Sequence, residues 1–249
     1  MNLTLIDISN TRTKIASSEG VEVAKKCSLP TSTLSTASLR ALLQSEQIDP
    51  AAPCIACSVV PEKSAVLAQT ITGPVTLIDH RGDLGITIDY PNPGQIGPDR
   101  LANAVACAAT IGVPSVAIDF GTAVTFDVVG PAGSYLGGVI APGLEAMTHY
   151  LHDRTALLPE LQLEKPATAI GKSTIHAMQT GAIIGYRGLV KEILAAIFAE
   201  LPVPAGTPIP VVATGGNAHL ICHEIAAITH FDENLTLHGL RLIGQRYHG

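Results

Sequence analysis

Between Ser115 and Val129 the chain reads SVAIDFGTAVTFDVV, which sets Asp119, Gly121, Thr122, Thr125 and Asp127 in one short run. Val116, Ala117 and Ile118 predict a buried strand over 115–118, with 124–129 as its hairpin partner. A carboxylate at the end of a buried strand is costly unless it is paired, hydrogen-bonded or bound to a cation. Glycine lets backbone N–H groups come close to a ligand, and threonine hydroxyls add donors beside them. Together these residues suit a polyphosphate with its cation. An ordinary hairpin whose Asp and Thr satisfy the turn backbone uses the same residue types.

A second copy favours the ligand. The N-terminus reads LTLIDISNTRTKIAS, in which Ile6 matches Ile118, Asp7 matches Asp119 and Ser9 matches Gly121. Asn10, Thr11 and Lys14 then supply polar groups after the carboxylate. Two such strand, carboxylate and turn units predict two similar halves across one cleft, each giving a phosphate-binding hairpin. In DYPNPGQIGPDRLANAVA, Pro98 stands where a helix can begin and Asp99 falls in its first turn, beside Arg100. Helix capping explains an acid there; the functional reading makes Asp99 a base and Arg100 a clamp for an anionic substrate. In PVVATGGNA a buried strand runs into Thr214, Gly215 and Gly216, a usual place for a nucleotide to lie against backbone. The string Gly171, Lys172, Ser173, Thr174 lacks the upstream glycine and strand of a Walker A loop and opens a long helix instead.

The elements that must position these residues are α/β in class. Antiparallel strands are expected over 3–8, 11–17 and about 21–27, then a helix near 36–46, a strand over 55–60, a helix near 61–70 and a strand over 75–78. A strand over 135–143 and a helix over 144–158 follow the central hairpin, and apolar residues from Val190 to Phe198 recur at helical spacing. The 249 residues allow one large domain or two ordinary ones, and a net charge of −6 argues against nucleic acid as a partner. No basic segment precedes an apolar one at the start, so no signal peptide is expected. The uncharged stretch 101–118 is broken by Asn103, Gly112 and Pro114, so no membrane span is expected. Five cysteines form no disulfide framework, and Cys54 and Cys57 lack the partners of a zinc site; they read as structural, in a cytoplasmic protein.

Taken in order, these strings resemble the type III pantothenate kinases of the acetate and sugar kinase, heat-shock chaperone and actin superfamily. The resemblance rests on D-x-G-N-T-x-x-K at Asp7 to Lys14, on N-P followed by G-A-D-R at Asn92, Pro93 and Gly97 to Arg100, and on D-F-G-T-A-x-T at Asp119 to Thr125. It extends to G-G-x-I-x-P-G at Gly137 to Gly143, G-x-[NS]-T at Gly171 to Thr174 and T-G-G at Thr214 to Gly216. It implies the duplicated ASKHA fold, two similar ribonuclease H-like halves with mixed sheets flanked by helices, divided into 1–112 and 113–249. It implies ATP-dependent phosphorylation of pantothenate to 4′-phosphopantothenate, with a related small-molecule kinase or a non-catalytic kinase-fold binding protein as alternatives.

By the same resemblance, Asp7, Ile8, Ser9, Asn10, Thr11, Arg12, Thr13 and Lys14 would cradle the ATP phosphates, with Mg²⁺ at Asp7. Thr122, Gly215 and Gly216 would meet the nucleotide, and Asp119 would hold a monovalent cation, K⁺ or NH₄⁺. Asp99 would be the catalytic base, with Tyr90, Gly97, Pro98, Arg100 and Thr174 around pantothenate. A homodimer would complete the substrate pocket at its interface, with the helices near 101–110 and 184–198 as its surface. Two residues depart from the pattern. Pro98 replaces alanine at a helix start that tolerates it. Ser9 replaces glycine, adding a Cβ where the phosphate turn is expected to need positive φ or close backbone approach.

Overall fold

The computed structural model describes residues 2–248. Its chain begins with β1 (Asn2–Ile8), β2 (Arg12–Glu19), β3 (Glu22–Pro30), α1 (Thr36–Ser45), β4 (Cys54–Ser58), α2 (Pro61–Thr70) and β5 (Val75–Leu77). A short β6 (Thr87–Ile88), α3 (Pro98–Thr110), β7 (Ser115–Phe120), β8 (Ala123–Val129) and β9 (Ser134–Pro142) follow. The rest comprises α4 (Leu144–Arg154), α5 (Thr174–Glu200), β10 (Val211–Thr214), α6 (Ala218–Ile221), β11 (His230–Phe231) and α7 (Leu235–His248).

These elements form two compact units. The first runs to Thr110 and takes in Gly133–Leu136 and the segment from Asn234 onward; the second holds Ile111–Ala132 and Gly137–Glu233. The expected division into 1–112 and 113–249 differs from this partition chiefly in α7, which packs with the first unit.

The first unit is built on a sheet of order β3-β2-β1-β4-β5, antiparallel through the meander and parallel from β1 to β4 and β5. Side chains alternate across it. Ile6, Ile8 and Ile15 face a core shared with Leu39, Leu43 and Leu67 of α1 and α2. Local chemistry starts those helices: Ser35 and Ser38 make a reciprocal capping box for α1, and Pro61 takes the first position of α2. On α7, a Cβ at Gly244 would lie 2.6 Å from Leu3 and Ile55 side-chain atoms, and one at Gly239 would run into the Ala102 backbone. Both glycines therefore mark close packing of α7, on β1 and β4 and on α3. Thr236 donates to Asn103 Oδ1 (2.8 Å) between the two helices. Leu101 to Cys107 are all buried within the chain, so the expectation of a dimer surface on this stretch is corrected.

The second unit has β7 at its centre, antiparallel to β8 and parallel to β10, which in turn pairs with β11. Ile183, Tyr186, Val190 and Leu194 bury one face of α5, and the Tyr186 hydroxyl donates to the Pro142 carbonyl (3.0 Å). Helix α4 ends at Arg154 rather than 158, because Thr155 turns extended and caps the Leu151 carbonyl with its own hydroxyl. Among the described residues, no helix is long and apolar enough to cross a membrane.

Candidate active site

In the first unit the β1–β2 hairpin pairs Asp7 with Lys14 and Ile8 with Thr13, and the Ser9 N–H donates to the Arg12 carbonyl across the turn (3.3 Å). Asp7 is 3% exposed. Its Oδ1 accepts from the Ser9 hydroxyl at 2.9 Å and from the Cys57 thiol at 3.4 Å. Register explains the second contact: β1 and β4 run parallel with Asp7 beside Cys57. The proposed phosphate residues do not all face one way. Ile8 lies in the α1/α2 core, Thr13 shares a buried hydroxyl pair with Thr31 (3.0 Å), and Arg12 donates to Ser28 (2.6 Å) on β3. Asn10 and Thr11 are exposed at the turn, and Lys14 is half-buried.

The backbone at Ser9 does not require glycine. Among the described residues, the non-glycine positions with positive φ are Lys25 and Gln47, so Ser9 lies outside the left-handed region. The strain expected from the missing glycine is absent, and the hydroxyl bonds the carboxylate instead.

Asp99 sits in the first turn of α3, directly after Pro98, with its Oδ1 accepting the Arg100 backbone N–H (2.9 Å). Burial lifts its carboxyl above the usual aspartate range, against the opposing pull of the Arg100 amide and guanidinium. Gly97 makes room for it, since a Cβ there would lie 2.5 Å from Asp99 Oδ1. Arg100 lies over the ring of Tyr135 (5.9 Å), and Tyr90 meets that ring edge-on at 6.4 Å. The Cys57 thiol beside Asp7 is pushed far up, first by burial and then by nearby carboxylate charge.

The second unit gathers a different set. Asp119 is half-buried on β7, with Thr214 of β10 and Thr125 of β8 as its cross-strand partners. Gly215 has φ +93°, and a Cβ there would lie 2.5 Å from Asp119 Oδ1 and 2.6 Å from the Phe120 backbone. Thr122 is exposed at the turn, where its carbonyl accepts the Gly143 N–H (3.1 Å); a side chain at 143 would strike that carbonyl. Gly216 is exposed beside them. Thr174 belongs to the second unit, at the start of α5 behind its Ser173 cap. It lines a cavity of about 920 Å³ with Pro142, Met147, Tyr150, Leu151 and Met178. Among the described residues no three His, Cys, Asp or Glu side chains cluster in a way that could hold a metal.

A sequence profile of the type III pantothenate kinases matches residues 3–196. The chain belongs to the type III pantothenate kinase family. A type III pantothenate kinase from Akkermansia muciniphila is 50% identical over 244 residues, covering 97% of this chain and 98% of its own. One from Methylacidiphilum infernorum is 44% identical over 241 residues, covering 97% of this chain and 87% of its own. Among solved structures, an ROK hexokinase from Thermus thermophilus superposes with a TM-score of 0.52 at 14% identity over the whole of both chains, a likeness of fold. The expected duplicated α/β fold with mixed sheets flanked by helices is borne out.

Two residues of this pantothenate kinase family member had escaped assignment to the site. Cys57 reads in sequence as a structural strand cysteine, because nothing local shows that β4 sets it beside Asp7. Tyr135 opens the strand that leads to Gly137 and Gly138, and its stacking on Arg100 and Tyr90 depends on a β6–β9 pairing that two-residue β6 does not announce.

Proposed function

We propose that this chain transfers the γ-phosphoryl group of ATP to the primary hydroxyl of pantothenate, giving 4′-phosphopantothenate on the way to coenzyme A. The observation that carries this reading is that one unit holds both a buried carboxylate on the phosphate hairpin, Asp7, and a second carboxylate at the start of α3, Asp99, beside Arg100 and raised above its usual range by burial. Phosphoryl transfer needs positioning and charge neutralisation more than covalent chemistry, and that is what these groups offer.

Asp99 acts as the base that takes the hydroxyl proton of pantothenate. Its raised pKa brings it closer to the working pH than an ordinary aspartate, which improves proton transfer. Arg100, steadied over Tyr135, holds the substrate carboxylate. Tyr90, Gly97, Pro98 and Thr174 complete the substrate contacts. The hairpin from Asp7 to Lys14 meets the ATP phosphates through the Ser9 to Arg12 turn and Lys14, while Ile8 and Thr13 hold its back to the core.

A divalent cation, Mg²⁺, neutralises phosphate charge when it arrives with ATP. Asp7 fits that ion, since Mg²⁺ bound to nucleotide draws on one or two carboxylates together with phosphate oxygens and water. Asp119, a half-buried carboxylate near the end of β7, is the residue we assign to a monovalent cation, K⁺ or NH₄⁺. Thr122, Gly215 and Gly216 accept the nucleotide against backbone.

We assign a homodimer whose surface lies on the second unit. Ile140, Met147, Tyr150, Leu151, Ile175 and Ile184 are all exposed there, around the cavity that Thr174 lines. The test is a steady-state assay with ATP, Mg²⁺ and pantothenate in K⁺ or Na⁺, run beside a panel of other small hydroxylated acceptors. Potassium-stimulated turnover confined to pantothenate is expected. Turnover of another acceptor in its place refutes the assignment.

A further inference from the structure

Asp7 Oδ1 receives two side-chain donors from different elements, the Ser9 hydroxyl from its own turn and the Cys57 thiol from β4. Cys57 is 1% exposed, and the parallel register of β1 and β4 fixes it beside Asp7. Cys54, on the same strand, is also fully buried but faces the apolar core with Ile6 and Leu39. The chain thus holds two buried cysteines of the same strand in unlike settings, one packed in the apolar core and one touching a carboxylate.

We propose that Cys57 is a positioning residue: its S–H, together with the Ser9 hydroxyl, locks the Asp7 carboxylate in the orientation that receives Mg²⁺ and the ATP phosphates. The inference rests on the reading of Asp7 as the Mg·ATP carboxylate. A carboxylate on a strand end turns about its last torsion over a broad range. Two donors on one oxygen, anchored in a turn and in a neighbouring strand, remove that freedom before the ligand arrives, and preorganisation of this kind is recovered as affinity. The thiol is a weak donor, but its bond lies in a buried site where the acceptor is charged.

The test is calorimetric binding of Mg²⁺ with a non-hydrolysable ATP analogue to the full-length protein, beside thermal melts without ligand. Cys57→Ala is expected to weaken binding about three- to tenfold, the effect of losing one ordinary hydrogen bond, since the thiol is a weak donor. Cys57→Ser, which restores a donor, is expected to recover wild-type affinity. Cys54→Ala is expected to lower the melting temperature and leave affinity unchanged. Equal affinities for Cys57→Ala and Cys54→Ala, or no rescue by Cys57→Ser, overturn the positioning role. Asp7→Asn separates the two readings. If Asp7→Asn binds as tightly as wild type, the Mg·ATP assignment of Asp7 fails and the positioning role with it. If Asp7→Asn weakens binding while Cys57→Ala does not, the positioning role alone fails.

Infrared difference spectra of the S–H stretch give a second readout that needs no change at Cys57. The Asp7→Asn variant is expected to shift one thiol band toward that of a weaker hydrogen bond. An unchanged band overturns the proposal even where Cys57→Ala fails to fold.

Discussion

Asp7 and Asp119 close equivalent strands, β1 and β7, and each leads into a turn and a returning strand, yet the two units hold them by different means. Asp7 is almost fully buried and is gripped by side-chain donors, Ser9 and Cys57. Asp119 is half-buried and is bordered by a glycine at positive φ whose backbone packs too closely against it and Phe120 to carry a Cβ. Around Asp99 the first unit again places a carboxylate among donors, with the Arg100 N–H on its oxygen. A duplicated strand and turn has thus diverged around its carboxylate: one copy meets it with side-chain donors, the other packs a glycine backbone close against it. Four sets of substitutions break or sharpen this contrast.

The largest effect is expected at Asp99. Asp99→Asn removes the proposed base and is expected to cut kcat about 10²- to 10⁴-fold. Its effect on stability runs the other way. Burial raises the folded-state pKa of Asp99, so its contribution is fully present below the unfolded aspartate pKa, about 3.9, and is lost as pH rises through the raised folded value. Above that value the ionised carboxylate costs stability, and Asn, which never ionises, escapes the cost. Thermal melts across pH are expected to match wild type in acid and to lie above it near pH 7. A lower melting temperature for Asp99→Asn at pH 7 breaks the picture of a reactive carboxylate held against its own desolvation. Arg100→Gln keeps the backbone donor and removes the guanidinium that lowers the Asp99 pKa. It is expected to move the acid limb of the pH–rate profile to higher pH.

Gly215→Ala probes the second unit's means. The new Cβ meets the Phe120 backbone and Asp119 Oδ1 at a residue with φ +93°. Backbone strain alone costs about 1–3 kcal/mol, and the melting temperature is expected to fall by about 5 °C, with loss of the proposed K⁺ stimulation. Gly97→Ala offers the matched case in the first unit. Its Cβ also meets a carboxylate oxygen at 2.5 Å, but there the obstacle is a movable side chain and the glycine φ is not positive. Asp99 is expected to swing aside, with activity falling about 10- to 10²-fold and the melting temperature held. Equal stability losses for the two alanines would show that the units do not differ in this way.

The contrast also explains what the sequence discloses. The hairpins are legible because each is a local event, a β-branched run, a carboxylate and a turn, and the strands expected over 3–8 and 115–118 form β1 and β7. The helix start at Pro98 and Asp99 is legible for the same reason. Helix α7 is not, because its packing depends on Gly239 and Gly244, poor helix formers by type, which are the points where α7 closes on Ala102, Leu3 and Ile55. Cys57 and Tyr135 are hidden for a further reason: their partners arrive through strand register set by crossovers, and register between distant strands leaves no local mark. The apolar run at 101–107 looks like a surface for a partner, and the partner turns out to be the chain's own C-terminal helix.

The smallest effect, and the sharpest use of the duplication, comes from exchanging Ser9 and Gly121, the matching positions of the two turns. Ser9→Gly loses one hydrogen bond to Asp7 without relieving any backbone strain, because Ser9 is not at positive φ. The KM for ATP is expected to rise about two- to tenfold with kcat and melting temperature little changed. Gly121→Ser places a Cβ 3.5 Å from the Ala123 carbonyl and 3.6 Å from Asp119 Oδ1, ordinary contact distances. Stability is expected to stay within about 0.5 kcal/mol of wild type. The added hydroxyl can reach Asp119 as Ser9 reaches Asp7, so the proposed K⁺ stimulation, measured as the ratio of rates in K⁺ and Na⁺, is the property expected to weaken. If Gly121→Ser instead unfolds the protein as Gly215→Ala is expected to, the second turn needs its space for the fold itself. If Ser9→Gly leaves ATP binding untouched, the donors on Asp7 are packing, and the two copies of the hairpin differ less than their geometry implies.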